Sequence, residues 1–242
     1  MELLSVCAPV FYPDTSKCGA LLRSSSHYGI EVHPYGVGEK WRGFFDSKLV
    51  GLLEYAKTVR SKYVICVDAV DSVVVAGEKE IVDSFHVASR GSPILLQQDR
   101  FCFPYWGIKD WFDKNLPAEY KETKPFGKYI CAGCVMGERE ALIDAISALV
   151  GYRTECPPWM PGYDDDQGWW TIAKANGFFD VGIDYNAMVS ICLNRCRLSW
   201  FKRDADRIIA SNSRPCVLHF GGISKGTLMS GYLKSVGRSG EW

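Results

Sequence analysis

Short runs of apolar, often β-branched residues alternate along the chain with longer segments whose apolar residues recur at helical spacing. The short runs predict strands at Leu3–Ala8, Ile30–Tyr35, Tyr63–Val67, Pro93–Gln97, Tyr129–Met136 and Cys216–Phe220. The longer segments predict helices at Thr15–Tyr28, Asp46–Arg60, Glu78–Ala88, Glu138–Val150, Asp165–Ala175 and Ser224–Val236. Alternation of this kind is typical of an α/β fold in which helices flank a mainly parallel sheet.

Glycine and proline mark loops between these segments, notably "FCFPYWG" at 101–107 and "PPWMPGY" at 157–163. The sequence contains no long linker, internal repeat or low-complexity segment. We therefore expect a single domain over residues 1–242.

The chain carries 28 basic and 28 acidic residues, so its formal net charge is zero. A neutral chain has no overall field that would draw it to nucleic acid or to an anionic membrane, although a local basic patch is compatible with neutrality. Its eight Trp and twelve Tyr suit either an aromatic-rich core or stacking surfaces for sugars or bases.

The N-terminal segment "MELLSVCAPVFYPD" has no basic region, and its apolar run is too short for a signal peptide or a membrane span. We therefore expect a cytoplasmic protein that does not associate with membranes and whose ten cysteines are mostly reduced. Cys131 and Cys134 have the spacing of a zinc knuckle, but Cys192 and Cys196 do not repeat it, which disfavours a structural zinc site.

Two carboxylates, Asp68 and Asp71, directly follow the predicted strand Tyr63–Val67. Ligands of α/β sheets collect at the carboxyl ends of strands, and two buried acids repel each other unless a cation lies between them. The pattern therefore indicates a divalent-metal site that faces an anionic ligand such as a diphosphate. The alternative is structural: Asp71 caps the next turn and Asp68 accepts backbone hydrogen bonds.

Two further segments carry candidate chemistry. "DDDQ" at 164–167 precedes a predicted helix, where acids also favour the helix dipole without any catalytic role. "HFGGISK" at 219–225 combines His219 at a strand end, glycines such as Gly222 that allow close backbone approach, and Lys225 near a helix start. That combination is typical of a phosphate-binding loop with an imidazole metal ligand.

Six segments resemble, in the same order, the glycosyltransferase domain of the procollagen lysyl hydroxylases. They are "YGVGEKWRG" (35–43), "VDAVDSVVVAG" (67–77), "FCFPYWG" (101–107), "DDDQ" (164–167), "HFGGISK" (219–225) and "YLKSVGRSGEW" (232–242). The resemblance runs from about Val32 to Trp242. It implies a GT-A fold with a Rossmann-like sheet, a UDP-sugar as donor and Mn²⁺ between protein and diphosphate.

Carried over by position, the resemblance makes Asp68, Asp71 and His219 the metal ligands. Two carboxylates and one imidazole independently suit Mn²⁺ better than Mg²⁺, which prefers oxygen ligands. The resemblance further implies that two lysines bind the diphosphate, that one aromatic residue packs on the uridine and that two acids face the sugar and the acceptor. These residues are Lys48 and Lys225, Trp41, and Asp165 and Asp166.

The chain departs from the family pattern at three places. Val70 stands where the family has a tyrosine that stacks on the base, so one stacking face is lost. Cys131-Ala-Gly-Cys134 replaces an Asn-Ser-Gly-Gly stretch near the donor sugar, and Phe103 replaces a tryptophan. No lysyl hydroxylation is expected, since the sequence ends at Trp242 without the family's dioxygenase domain.

The favoured hypothesis is a Mn²⁺-dependent, retaining transferase that moves glucose or galactose from a UDP-sugar to a hydroxyl group. The resemblance points to a hydroxylysine-type or glycosylated protein acceptor, as in collagen. A second hypothesis keeps this chemistry but takes a hydroxylated nucleobase in DNA as the acceptor, against which the neutral net charge weighs. A third is a nucleotide-sugar binding module without turnover, against which the complete set of candidate ligands argues.

Overall fold

A computed structural model describes residues 3–104, 108–123, 126–158, 162–205, 207–210, 213–222 and 224–236, apart from the side chains of Glu122, Thr123 and Lys225. Parts of the segments "FCFPYWG", "PPWMPGY", "HFGGISK" and "YLKSVGRSGEW" lie outside these ranges. None of the helices within them is long and apolar enough to cross a membrane.

The central element is a six-stranded sheet with strand order β2-β1-β3-β6-β5-β7. Its strands are β1 (Leu4–Pro9), β2 (Val32–Tyr35), β3 (Tyr63–Val67), β5 (Ile94–Asp99), β6 (Tyr129–Glu138) and β7 (Val181–Ile183). Strand β1 runs parallel to β2 and β3, and β5 runs parallel to β7, whereas β6 is antiparallel to both β3 and β5. The sheet is therefore mainly parallel, as expected, with one reversed strand at its centre.

Helices cover both faces of this sheet because its buried strands alternate apolar side chains to either side. The helices are α1 (Gly19–His27), α2 (Val50–Thr58), α3 (Glu78–Ser89), α4 (Lys109–Asn115), α5 (Ala118–Thr123), α6 (Arg139–Glu155), α7 (Asp166–Asn176) and α8 (Ser224–Ser235). Side chains of α2, α6 and α7 share one apolar cluster with the sheet, and those of α1 and α3 share the cluster on the opposite face.

A second, three-stranded sheet lies beside the first and has the order β4-β11-β8. It consists of β4 (Ser72–Val74), β8 (Ser190–Cys192) and β11 (Val217–His219), with β11 antiparallel to β4 and parallel to β8. A hairpin of β9 (Lys202–Asp204) and β10 (Arg207–Ile209) follows β8. Four residues, 68–71, separate the end of β3 from the start of β4, and this segment connects the large sheet to the small one.

The six predicted helices are present with shifted ends, and so are the six predicted strands. The largest difference concerns the helix predicted to begin at Asp46: residues Phe44–Leu49 form a π-helical turn that leads into α2. Strands β4, β7, β8, β9 and β10 were not predicted, because three-residue strands carry too little periodicity to be recognised.

Candidate active site

A cavity of about 840 Å³ opens beyond the carboxyl ends of β3 and β11. Trp41, Phe11 and Phe44 pack together at its aromatic end, and Asp68, Asp71 and His219 cluster at its polar end. The aromatic residues are Phe11, Tyr12, Trp41, Phe44, Phe101 and Phe103, and the ionisable or amide residues are Lys48, Asp68, Asp71, Asp99, Asp165, Asp166, Gln167, Asn194, Arg195 and His219. A cavity of this size and composition suits a ligand with both a ring and a charged group.

Asp68, Asp71 and His219 meet at the polar end of this cavity. His219 Nε2 lies 3.4 Å from Asp68 Oδ2 and 3.8 Å from Asp71 Oδ1, and one ligand atom from each of the three residues lies within 4.8 Å of the others. Backbone hydrogen bonds fix the positions of both acids. Asp68 N donates to Gly133 O at 2.9 Å, and Phe220 N donates to Asp71 O at 2.7 Å.

The imidazole of His219 is oriented by the residues around it. Its Nδ1 lies 2.8 Å from Gln97 Oε1, an oxygen that can only accept, so Nδ1 is the donor there and Nε2 is the nitrogen that faces the two acids. Gly133 and Gly221 provide the space for the ring: a Cβ atom at Gly133 would overlap it, and one at Gly221 would come within 2.8 Å of Cε1.

Lys48 lies between two carboxylates at the floor of the cavity. Its Nζ is 2.7 Å from Asp68 Oδ1 and 2.9 Å from Asp166 Oδ2. Burial disfavours the charged ammonium, but the two carboxylates outweigh it, so the pKa of Lys48 is well above its usual value. Burial likewise acts to raise the pKa of Asp68, and Lys48 and His219 reverse this, so the pKa of Asp68 is lowered.

The neighbouring acids Asp165 and Asp166 have different surroundings. Asp165 is the N-cap of α7, where its Oδ1 accepts a hydrogen bond of 2.7 Å from Gly168 N. Asp166 is buried against Lys48, and its burial raises its pKa to about 6 despite the attraction of that ammonium. Asp164, the first acid of "DDDQ", pairs instead with Arg153 away from the cavity.

Trp41 lies at the aromatic end of the cavity, 41% exposed, with edge-to-face contacts to Phe11 and Phe44. Val70 lines the cavity and packs against the core beneath it. Gly222 also lines the cavity and has φ +61°, and a Cβ there would come 2.7 Å from Asn194 Oδ1, so two constraints favour glycine.

Of the ten site residues predicted from the sequence, nine line this one cavity. The tenth, Lys225, is the second residue of α8, and its side chain lies outside the described part of the chain. The π-helical turn that holds Lys48 was not predicted, although such turns are frequent at functional sites.

Sequence reasoning missed several polar residues in or behind the cavity wall. Asp99 lines the cavity, and Gln97 contacts His219 from behind it. Both belong to "QQD" at the end of β5, and a polar strand end after an apolar run could have indicated them. Cys192 faces the cavity beside Cys131, while Cys134 packs into the core on the other face of the large sheet. The Cys131–Cys134 pair considered for zinc is therefore split between two faces, as expected for residues three apart on a strand whose side chains alternate.

Burial and neighbours shift the pKa values of this cysteine pair in opposite directions. A hydrogen bond from the Cys192 thiol lowers the pKa of Cys131 to about 7, against the effect of burial and with help from His219. The same hydrogen bond and burial raise the pKa of Cys192. All ten cysteines are within the described ranges, and none of them forms a disulfide bond there.

A family model for the PLOD GT domain matches residues 13–233 of the chain. No curated protein matches the sequence. Among solved structures, similar folds occur in a glycosyltransferase involved in glycosylation of the major capsid of PBCV-1 and in the apo form of mouse xyloside xylosyltransferase 1. The first has a TM-score of 0.53 at 10% identity and covers 96% of this chain and 99% of its own. The second has a TM-score of 0.53 at 12% identity, with 93% and 98% covered.

The bifunctional glycosyltransferase WbbM, also in its apo form, is similar over a smaller share of its length. It has a TM-score of 0.52 at 13% identity, and the match covers 97% of this chain but 49% of WbbM. At these identities the structural likeness concerns the fold, which is GT-A.

Proposed function

The chain belongs to the PLOD GT domain family of glycosyltransferases, and on this premise we propose that it transfers a hexose from a UDP-sugar to an acceptor hydroxyl with the help of Mn²⁺. The sugar is glucose or galactose, and the transfer retains the configuration of the anomeric carbon. The observation that carries the proposal is the meeting of Asp68, Asp71 and His219 in a cavity that also holds an exposed tryptophan.

The chemistry and spacing of these three residues fit a divalent cation. Around a metal with bonds of about 2.1 Å, adjacent octahedral ligands are about 3 Å apart, and His219 Nε2 lies 3.4 and 3.8 Å from the two carboxylate oxygens. The lone pair of Nε2 faces the acids because Gln97 holds the proton on Nδ1. Asp68 meets Lys48 through Oδ1 and faces His219 through Oδ2, so its second oxygen remains available to the ion.

The nucleotide would lie between the metal site and the aromatic end of the cavity. Trp41 contacts the base, and Val70, which cannot stack, covers it as an apolar surface. An ammonium has three N–H donors and Lys48 directs two at carboxylates, which leaves one for a diphosphate oxygen. Gly222 lets the backbone approach the diphosphate closely, and Lys225, at the start of α8, adds positive charge.

Loss of the diphosphate is the demanding part of the reaction, because negative charge develops on the departing oxygen. When bound, the cation supplies positive charge that stabilises this leaving group. The protein groups hold the reactants: Asp68, Asp71 and His219 fix the position of the ion, and Lys48 stabilises the diphosphate. Asp166, held by Lys48, and Asp165 anchor hydroxyl groups of the sugar and the acceptor.

A protein acceptor with a hydroxylysine-type or already glycosylated side chain is favoured over DNA. The neutral net charge of the chain provides no general attraction for a polyanion. The cluster of Asp68, Asp71 and His219, together with the buried Lys48 and the cavity, favours an enzyme over a nucleotide-sugar binding module without catalysis.

The test is calorimetry of UDP binding with and without Mn²⁺, paired with mass spectrometry of hydroxylysine peptides incubated with a panel of nucleotide sugars. Asp71→Asn should lose the part of the UDP affinity that depends on Mn²⁺ and keep the part that does not, because it removes one metal ligand. Trp41→Ala should weaken UDP binding about tenfold with or without the ion, since stacking contributes about 1–3 kcal/mol.

Trp200→Ala is the matched control, because Trp200 is an exposed tryptophan that does not line the cavity. It should leave UDP affinity unchanged. The proposal fails if chelator leaves wild-type transfer intact, or if none of the nucleotide sugars modifies any acceptor while UDP binding is indifferent to Mn²⁺.

A further inference from the structure

The cavity wall contains a second group of metal-binding atoms that shares one residue with the first. Cys131 on β6, Cys192 on β8 and His219 on β11 each place a ligand atom within 4.8 Å of the others. All three residues are buried, with 4%, 2% and 4% exposure, and all three line the cavity. An ion could therefore reach them through the cavity.

Strand pairing explains why these residues meet. Cys192 and His219 are in-register partners on the parallel strands β8 and β11, so their side chains leave the small sheet on the same face. Cys131 reaches the same place from the large sheet, with its Sγ 3.6 Å from His219 Nδ1. Its Sγ also lies within 4.8 Å of the Cys192 sulfur.

We propose that Cys131, Cys192 and His219 form a binding site for a thiophilic cation such as Zn²⁺, and that this site competes with the Asp68–Asp71–His219 site for the imidazole. Two sulfurs and one nitrogen are the soft donor set that Zn²⁺ prefers over Mn²⁺. A tetrahedral Zn²⁺ separates a sulfur from a nitrogen ligand by about 3.6 Å, which is the spacing observed. The fourth position faces the cavity and is open to water.

The competition follows from the single lone pair of a neutral imidazole. When Nε2 faces the acids, Nδ1 carries the proton and donates to Gln97. Binding of a cation through Nδ1 requires the proton to move to Nε2, and this removes Nε2 from the acid site. The same histidine therefore serves one of the two cations at a time. This part of the inference rests on the proposed function, whereas the thiol site does not.

Asp99 strengthens the thiol site. It ends β5, is buried, and lines the cavity close enough to Cys192 for its charge to act on that thiol. Its carboxylate places negative charge beside the two sulfurs, which favours a divalent cation there.

The thiol site is tested with Cd²⁺, whose bonds to thiolates absorb in the ultraviolet, on the full chain kept reduced with a phosphine. The first equivalent of Cd²⁺ should give the absorption of a two-thiolate site. Cys131→Ala and Cys192→Ala should lower the affinity for that equivalent at least a hundredfold, and His219→Ala at least tenfold. Cys134→Ala is the matched control, since Cys134 is as buried but faces the core, and it should bind like the wild type.

The Ser variants of Cys131 and Cys192, which retain more of the side-chain volume, repeat the measurement in case an Ala variant does not fold. The site is excluded if removing either cysteine leaves the first equivalent unchanged, or if Cys134→Ala weakens it equally.

The competition is tested by following free Mn²⁺ by electron paramagnetic resonance in the presence of UDP. One equivalent of Zn²⁺ should raise the dissociation constant of Mn²⁺ at least tenfold in the wild type and not in Cys192→Ala. An unchanged Mn²⁺ affinity in the wild type overturns the sharing of His219. A wild type that binds no Mn²⁺ even without Zn²⁺ overturns the acid site and the competition together, and the Cd²⁺ absorption then decides the thiol site alone.

Discussion

At the scale of single residues, the adjacent acids Asp165 and Asp166 have different structural roles. Asp165 accepts a hydrogen bond from the first turn of α7, so it stabilises the helix whether or not it also meets a sugar hydroxyl. Asp166 is held by Lys48, and Lys48 holds Asp68, so Asp166 is linked to the metal site through one ammonium.

Substitutions at Asp165 should separate its structural part from any part in transfer. Asp165→Ala removes the helix cap and should lower the free energy of unfolding by about 1 kcal/mol, whereas Asp165→Asn, an equally good cap, should keep it. Urea titration of both variants, each with a transfer assay, is the measurement. If the Asn variant is as unstable as the Ala variant, Asp165 does not stabilise the protein by capping α7.

The residues that sequence reasoning located are those whose signal is local. Asp68 and Asp71 follow an apolar run directly, and His219 ends another, which made each a candidate ligand. The family resemblance then predicted that the three would meet. Cys131 and Cys192 gave no such signal, because they meet only through the pairing of β8 with β11 and the irregularity in β6. Register between distant strands is not visible in a single sequence.

At the scale of elements, β6 forms one wall of the active site by carrying a glycine next to His219. A Cβ at Gly133 would overlap the imidazole, so the closeness of β6 to β11 depends on this residue. The backbone of Gly133 also accepts the hydrogen bond from Asp68 N, which ties the same strand to the loop after β3.

Gly133→Ala should therefore distort the proposed metal site without removing any of its ligands. The added methyl group displaces His219, and we expect Mn²⁺-dependent UDP binding to fall at least tenfold, as judged by calorimetry. Gly151→Ala is the control, because a Cβ at Gly151 in α6 meets no atom within 4 Å. It should keep binding and stabilise the protein by about 0.5–1 kcal/mol. Equal Mn²⁺-dependent UDP affinity of both variants would show that the added methyl group does not displace the His219 ring.

The long elements were predicted well. Of the six three-residue strands in the described part of the chain, only β11 was predicted, within the run 216–220. Helix α6 has apolar residues on one face over four turns, and β3 is a continuous apolar run, so both stand out from their surroundings. The small sheet consists of three-residue strands, and its existence depends on contacts between segments far apart in the chain. The fold class was therefore accessible from the sequence, whereas the sheet that supplies His219 was not.

At the scale of the whole molecule, buried carboxyl groups make stability depend on pH. Burial raises the pKa of Asp166 to about 6, and it does the same for Asp184 despite the backbone N–H groups of 188–190. Burial also raises the pKa values of Asp99 and Asp165. All four groups favour their protonated forms in the folded protein, so the stability they contribute is full below about pH 4 and is lost as the pH rises, through about 6 for Asp166 and Asp184. Asp68, with its lowered pKa, acts in the opposite direction, below about pH 4.

Without metal, the free energy of unfolding should therefore fall between pH 4 and pH 6, with Asp166 contributing up to about 3 kcal/mol of that fall. Urea titrations across this range are the measurement. Asp166→Asn should flatten the dependence in part, whereas Asp83→Asn, at an exposed position on α3, should leave it as in the wild type. A wild type whose stability rises over this interval would contradict the assignment.

The two sheets supply different ligands to one candidate ion, and this has a consequence for how the molecule opens. Asp68 follows a strand of the large sheet, and His219 ends a strand of the small one. An ion held by both residues therefore links the two sheets. Any local opening that separates the small sheet from the large one must first release the ion. Such openings therefore become rarer as a larger fraction of the protein holds the ion. Amide protons of β4, β8 and β11 then exchange with solvent more slowly in the loaded enzyme, and the small sheet becomes the part of the molecule whose integrity depends most on the ion.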